Sequence, residues 1–312
     1  METGIAVRDQ EPGLEVHKVA AIQAAVDGFI TSLDVKARTR ETYGKAIKYF
    51  VSWILEEGIV QPLRGDILSY RSRLMEDGKA AHTVNSYITV VRRFFEYLEA
   101  EGIYPNVAKG VKGLKKPRGF RKEALTGDQA RRLLETIEED GLRSLRDYAI
   151  INLMLRTGLR DIEITRADAG DLGSEAGELV LRVHGKGRDS KDDFVLLVPE
   201  AYGPIADYLA ARDNPGKDEP LFVCHGNRNA GGRLTTRSVS RLIEKRLAQA
   251  GLKSEKITAH SLRHTAATLA LLGGADVMEV RGMLRHSDIN TTLIYVHNLD
   301  RVSNGAEKAI SF

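Results

Sequence analysis

The chain holds 312 residues, 42% hydrophobic and 29% charged, with 46 Lys and Arg against 43 Asp and Glu. This balance excludes a disordered tail, a collagen-like repeat and a disulfide-stapled secreted module, and the length suits one large domain or two modest ones. The single Cys224 cannot close a bridge within the chain, which points to a reducing cytoplasm.

In chain order, residues 1–17 are an acidic extension with one basic and four acidic residues; they lack an apolar core, so no signal peptide is expected. Residues 18–122 hold nineteen basic and eleven acidic residues, whereas the remaining 190 hold twenty-six and twenty-eight. The net charge of +3 therefore conceals one basic segment. Within it, residues 18–102 predict a helical domain. Tyr43, Ile47, Phe50 and Ile54 recur at helical spacing after a cap region around Thr39, and Val84, Ile88, Val91, Phe95 and Leu98 repeat the pattern. With both stripes facing a core, Lys45, Lys48, Arg92 and Arg93 become candidate DNA contacts.

Residues 103–122 predict a basic linker, because Pro105, Gly110, Gly113, Pro117 and Gly119 forbid a continuous helix. From 102 to 122 there are seven cations and no acid. Lys115, Lys116, Arg118 and Arg121 either lie along a phosphate backbone, where each contact releases counterions, or keep a solvated linker in solution.

Residues 123–312 predict a mixed α and β domain. Thr126 with Gln129 forms a capping-box pattern opening a helix through residue 139, and residues 142–156 read as a second, largely apolar helix. Residues 179–183 and 194–198 are β-type runs around the polar turn from His184 to Asp189, a hairpin signature. Helices are expected at 202–211, 236–250, 262–272, 277–284 and 290–296. The apolar run 266–275 falls well short of the roughly 18–20 residues that a membrane crossing needs. The fold class is thus mainly α with a small β component, α+β.

Several residues with chemical potential sit at the expected element boundaries. Arg160 follows the break Thr157-Gly158-Leu159, with Glu163 three positions on. His260, Arg263 and His264 open a helix, His286 closes the next, and Tyr295 lies nine residues later. Two Arg, two His, the Lys186 of the hairpin turn and one Tyr suit an anion whose oxygens redistribute charge in the transition state, as in phosphoryl transfer at a phosphodiester. Each piece alone has a plainer reading. Tyr295 fits a buried aromatic on an amphipathic helix, and Gly185-Lys186-Gly187 lacks P-loop spacing. His260 and His264 lack the intervening Glu of a zinc helix and have the cation Arg263 between them, so no metal site is expected. Cys224 reads as a packed thiol.

Taken together and in order, Thr157-Gly158-Leu159-Arg160 with Glu163, Lys186, His260-Ser261-Leu262-Arg263-His264, Leu284-Arg285-His286-Ser287 and Thr291-Thr292-Leu293-Ile294-Tyr295 resemble the tyrosine recombinase (phage integrase) family, and its Xer-like members most. Residues 80–102 also resemble the end of that family's helical, SAM-like core-binding domain. The resemblance implies domains at 18–102 and 123–312, closing as a clamp on double-stranded DNA. It implies that Tyr295 attacks the scissile phosphate to form a 3′-phosphotyrosyl link that conserves the bond energy, so no ATP or other cofactor is needed. A phenol with a pKa of about 10 needs help to lose its proton, and His260 is the implied acid/base. Arg160 and Arg263 would hold the non-bridging oxygens, His286 would add a hydrogen bond, and Lys186 would protonate the departing 5′ oxygen. Glu163 and His264 would support their neighbours. Arg and Lys then supply the positive charge that a metal supplies elsewhere.

Implied partners are DNA with paired recombination sites and further copies of the chain in a tetramer, with a second recombinase or accessory protein as an open addition. No membrane partner is expected, and the implied location is the cytoplasm, on the nucleoid. Rival readings are a type IB topoisomerase-like relaxation activity and a catalytically silent architectural DNA-binding protein. The sequence departs from the family at Arg285, where members commonly carry Gly, and residues 1–17 are too short for an arm-binding domain. After Tyr295, the apolar Ala306, Ala309, Ile310 and Phe312 suit a tail that docks on a neighbouring copy.

Overall fold

The computed structural model describes residues 12–115, 123–138, 141–184, 190–226 and 229–303. Its contacts divide the chain into two compact units, Met1–Gly119 and Phe120–Phe312. Lys116, Arg118, Arg121, Lys186 and the tail residues Ala306, Ala309, Ile310 and Phe312 lie outside the described residues.

In the first unit the described helices are α1 (Pro12–Ser32), α2 (Ala37–Glu56), α3 (Arg64–Glu76) and α4 (Ala81–Ala100). The apolar stripes do what their spacing predicts. Ile47, Phe50 and Ile54 of α2 are buried with Val84, Ile88, Val91, Phe95 and Leu98 of α4, and Phe29, Ile67, Tyr70 and Leu74 complete the core. Phe50 meets Tyr70 edge-on at 4.9 Å and Phe95 at 6.1 Å, the arrangement ring quadrupoles favour. Each such side chain contributes roughly 1.5–3 kcal/mol by leaving water.

The chain does not leave this bundle at residue 103. Ala108 and Val111 are buried in its core. Asn85 of α4 clasps Leu114 at both backbone groups: Oδ1 accepts from the Leu114 N–H at 2.6 Å, and Nδ2 donates to the Leu114 carbonyl at 2.9 Å. Arg71 donates to the Lys112 carbonyl at 2.8 Å, and Arg64 donates to that of Lys109. The start of the basic stretch is therefore pinned to α3 and α4, which use side-chain donors to satisfy a backbone that its glycines keep out of a helix.

The second unit begins with α5 (Gly127–Glu135), opened by the expected reciprocal bonds between Thr126 and Gln129. It stops short of residue 139, because Ile137 turns inward through a bond to the Leu134 carbonyl and is buried. Next, α6 (Leu142–Thr157) is buried on most of its surface and packs against α8 (Pro199–Ala210), α9 (Thr236–Gln249) and α10 (Ala259–Leu272). Its buried charges are matched: Asp147 accepts from Arg146 at 2.6 Å and from Arg246 at 2.8 Å.

The short α7 (Asp161–Arg166) and a 3₁₀ turn at Ala169–Asp171 lead into an antiparallel sheet of order β1-β2-β3: β1 (Leu172–Glu175), β2 (Glu178–Val183) and β3 (Asp193–Leu196). The β2–β3 hairpin is the one the sequence predicts, with Leu181 opposite Val195. The strand β1 is an addition. Leu-Gly-Ser-Glu has no alternating pattern, and it becomes a strand through a two-residue turn at Ala176 and Gly177, both at positive φ, which sets Leu172 opposite Leu181. Two further helices, α11 (Val277–Leu284) and α12 (Asn290–Ser303), follow α10, and α12 outruns its predicted end. Among the described residues no helix is long and apolar enough to cross a membrane.

Candidate active site

The site is assembled where α6 ends. Gly158 caps α6 at φ 64°, and a Cβ there would come within 2.5 Å of Leu284 Cδ2 on α11. Glycine is thus needed both for the left-handed turn and for the close approach. The turn sends the chain into Arg160, the residue that precedes α7. Glu163, one turn into α7, accepts from the Arg160 backbone N–H at 2.8 Å through Oε2 and from Arg160 Nη1 at 2.8 Å through Oε1. The Glu163 side chain is almost wholly buried, whereas that of Arg160 stays 21% exposed.

Arg263 enters from the second turn of α10. It is only 2% exposed, and its guanidinium donates to the carbonyls of Gly158 and Leu284, stitching the ends of α6 and α11 together. Burial, then the charge of Arg160, lowers its pKa to about 9, which still leaves it a cation at neutral pH.

The histidines divide by exposure. His260 is exposed and stands edge-on to His264, with ring centroids 4.8 Å apart. His264 is buried, and its Nδ1 lies 2.6 Å from the hydroxyl of Tyr295 on α12. Burial, reinforced by His260 and Arg263, brings its pKa down to about 4. His286 follows α11, bonds Thr292 Oγ1 through Nδ1 at 2.9 Å, and is likewise lowered to about 4 by burial and by Arg263, Arg160 and Arg285. Both rings are therefore neutral near pH 7. Tyr295 is 5% exposed among Ala267, Val280 and Leu284. Burial raises its pKa, while Arg263 and Arg160 pull in the other direction.

The model of the phage integrase family matches residues 123–301, and that of the phage integrase N-terminal SAM-like domain matches residues 26–102. The chain belongs to the phage integrase family. Tyrosine recombinase XerC of Thermodesulfovibrio yellowstonii is 33% identical over 270 residues, covering 84% of this chain and 86% of that protein. Tyrosine recombinase XerA of Pyrococcus furiosus is 28% identical over 86% of this chain and 88% of its own length. Among solved structures, the post-cleavage complex of XerH site-specific recombinase with palindromic difH substrate superposes with a TM-score of 0.71 at 24% identity, over 86% of this chain and 80% of that one. A lambda integrase tetramer on a Holliday junction gives 0.67 at 17% identity, over 92% and 81%. The chain is a site-specific tyrosine recombinase, an enzyme that breaks and rejoins DNA without metal or ATP.

In this recombinase Arg160 bonds Glu163, His264 meets Tyr295, and His286 and Tyr295 lie within the electrostatic reach of Arg160 and Arg263, with His260 exposed beside His264. Of the candidate DNA contacts, Lys48, Arg93 and Lys115 are exposed, Lys45 pairs with Glu41 at 2.7 Å, and Arg92 reaches Thr89 at 3.3 Å. Sequence reasoning missed three features. Thr292, fully buried, fixes the His286 ring. Arg285 donates to Glu163 Oε2 at 2.8 Å. Lys191 ties the foot of the hairpin that carries Lys186 to Asp168 and Asp171, each at 2.6 Å, and Arg233 also pairs with Asp168. Burial works against these charges, yet the hydrogen bonds hold Lys191 above and Asp168 below their ordinary pKa values. No local spacing signals any of the three, since each joins residues distant in sequence or adds an unremarkable threonine.

Proposed function

We propose that Tyr295 is the nucleophile of strand cleavage and that Arg160, Arg263, His286, His260 and Lys186 serve it. The Tyr295 oxygen attacks the scissile phosphorus as the bond to the 5′ oxygen breaks, and the 3′ phosphate becomes esterified to the enzyme. Arg160 and Arg263 take the two non-bridging oxygens, where fixed cations stabilise charge that grows in the transition state. With the Thr292 hydroxyl donating to Nδ1, His286 carries its proton on Nε2 and offers it as a neutral donor. Lys186 gives a proton to the departing 5′ oxygen, and reversal of the same steps reseals the strand. The Tyr295 proton passes to the imidazole pair: His264 lies in contact with the hydroxyl, and His260, beside it, connects the pair to solvent. The observation that carries this reading is the junction of α6, α10, α11 and α12 on Arg263 and Tyr295.

The reading extends to assembly. Four copies on two duplexes exchange strands in pairs through a Holliday junction, in line with the lambda integrase tetramer solved on one. The exposed Lys48, Arg93 and Lys115 contact the duplex backbone, together with Lys45 and Arg92 once the duplex competes for them. An apolar groove of about 530 Å³, bordered by Phe194, Leu196, Val280 and Met283, receives Ala306, Ala309, Ile310 and Phe312 of a neighbouring copy. Deleting residues 303–312 should leave binding to one duplex intact and abolish synapsis; unchanged synapsis would refute the docking.

The test of the chemistry is a library of nicked duplexes with randomised cores, incubated with the full chain and captured as covalent adducts. Wild type should yield adducts that share one core sequence, and Tyr295→Phe should yield none. Adducts that persist in the variant would remove Tyr295 from the role.

A further inference from the structure

Arg285 ends α11 at φ 54°, a left-handed conformation that disfavours any side chain with a Cβ. Glycine would sit there without strain. The arginine is nevertheless folded inward: its side chain is 5% exposed, Nη2 donates to Glu163 Oε2 at 2.8 Å, and Nη1 donates to the Met283 carbonyl at 2.7 Å. Its Nε is buried without a hydrogen-bond partner. A strained backbone and an unsatisfied buried donor are both unfavourable, so what the guanidinium does must lie in its charge.

Among the described residues, a second buried arginine–carboxylate–arginine group, Arg146–Asp147–Arg246, sets the contrast. It lies in helical backbone, and none of its buried nitrogens lacks a partner, as expected of a purely structural cluster. Arg285 shares its carboxylate with Arg160, one of the two arginines read as gripping the scissile phosphate. It also sits close enough to bear on the charge state of Arg263 and His286. Without Arg285, Glu163 would pair with Arg160 alone, and less of the Arg160 charge would be left for a phosphate.

We propose that Arg285 is a positioning residue that offsets the charge of Glu163, so that Glu163 can orient Arg160 without neutralising it. The proposal rests on the reading of Arg160 and Tyr295 as phosphate ligand and nucleophile. Arg285 itself need not touch the DNA, and the effect is confined to the rate of cleavage, because duplex affinity is spread over many backbone contacts.

The experiment measures single-turnover adduct formation on a nicked duplex carrying the selected core, alongside duplex affinity and thermal unfolding, for wild type, Arg285→Gly, Arg285→Lys and Arg285→Gly with Glu163→Gln. A residue that only caps α11 predicts that Gly cleaves at least as well as Lys, since Gly relieves the strain. Charge compensation predicts the opposite order. Lys should stay within about threefold of wild type and Gly should fall by about tenfold or more, the scale of one charge-assisted contact, with unchanged affinity and no loss of stability. Adding Glu163→Gln to the Gly variant should recover cleavage, because the uncompensated charge is gone while an acceptor for Arg160 remains. Cleavage by Arg285→Gly at the wild-type rate, equal losses in Gly and Lys, or no recovery in the double variant would each overturn the proposal. A wild type that forms no adduct would instead overturn the nucleophile reading, and the proposal with it.

Discussion

Gly158→Ala is the sharpest single perturbation of the site, because one methyl group meets two constraints at once. Holding alanine at φ 64° costs roughly 1–2 kcal/mol. The added Cβ would also lie 2.5 Å from Leu284 Cδ2, against an ordinary carbon contact of about 3.5–4 Å. Leu284 is fully buried and cannot swing into solvent, so overpacking adds about 1–3 kcal/mol. The entropy that alanine removes from the unfolded chain returns only about 0.4–1 kcal/mol. A net loss of about 1–4.5 kcal/mol is expected, together with slower adduct formation, because Gly158 and Leu284 supply the carbonyls that hold Arg263. The one tryptophan of the chain, Trp53, lies in the core of the other unit. Urea unfolding followed by Trp53 fluorescence should therefore be unmoved while the far-ultraviolet circular dichroism transition of the second unit shifts to lower urea. A shift under about 0.5 kcal/mol, or an equal shift at Trp53, would refute the packing argument.

Other expectations follow from the same contacts. His264 and His286 have pKa values near 4 when folded and an ordinary value of 6.5, so the unfolded chain takes up their protons first as pH falls. Their contribution to stability is complete above about pH 6.5 and drains away as pH falls through about 4; urea midpoints that stay level or rise between pH 7 and 5 would contradict this. Lys191→Met should cost the second unit about 1–3 kcal/mol by stranding Asp171 and leaving Asp168 to Arg233 alone, and should slow cleavage through the hairpin that carries Lys186; an unchanged cleavage rate would separate Lys191 from the site. Asn85→Ala removes both bonds to Leu114 and should lower the Trp53-monitored stability of the first unit by about 1–2 kcal/mol, leaving the second unchanged. Hydrogen exchange at the Leu114 amide should rise with it.

The parts of the fold legible in the sequence are those in which the signal is local. The α2 and α4 stripes, the Thr126–Gln129 box and the β2–β3 hairpin each depend on residues within a few positions of one another, and each forms as its pattern predicts. The packing of residues 103–115 was not legible. Glycines, prolines and lysines describe a chain that is not helical, but only the facing side chains of Asn85, Arg71 and Arg64 decide whether it is anchored. The strand β1 escaped notice for the same reason, since a four-residue segment becomes a strand by finding an edge to pair with.

The candidate site divides along the same line. Sequence alone determined which residues have the chemistry for a phosphodiester, because arginine, histidine, lysine and tyrosine at ordered boundaries form a pattern that survives without coordinates. Tertiary structure decided how they are shared out: that His264 meets the Tyr295 hydroxyl while His260 stands at the rim, that Arg263 is sunk between two carbonyls, and that Glu163 answers to Arg160 and Arg285 together. The reason is distance along the chain. Glu163 and Arg285 are 122 residues apart, and a charge shared across such a gap leaves no local spacing to read.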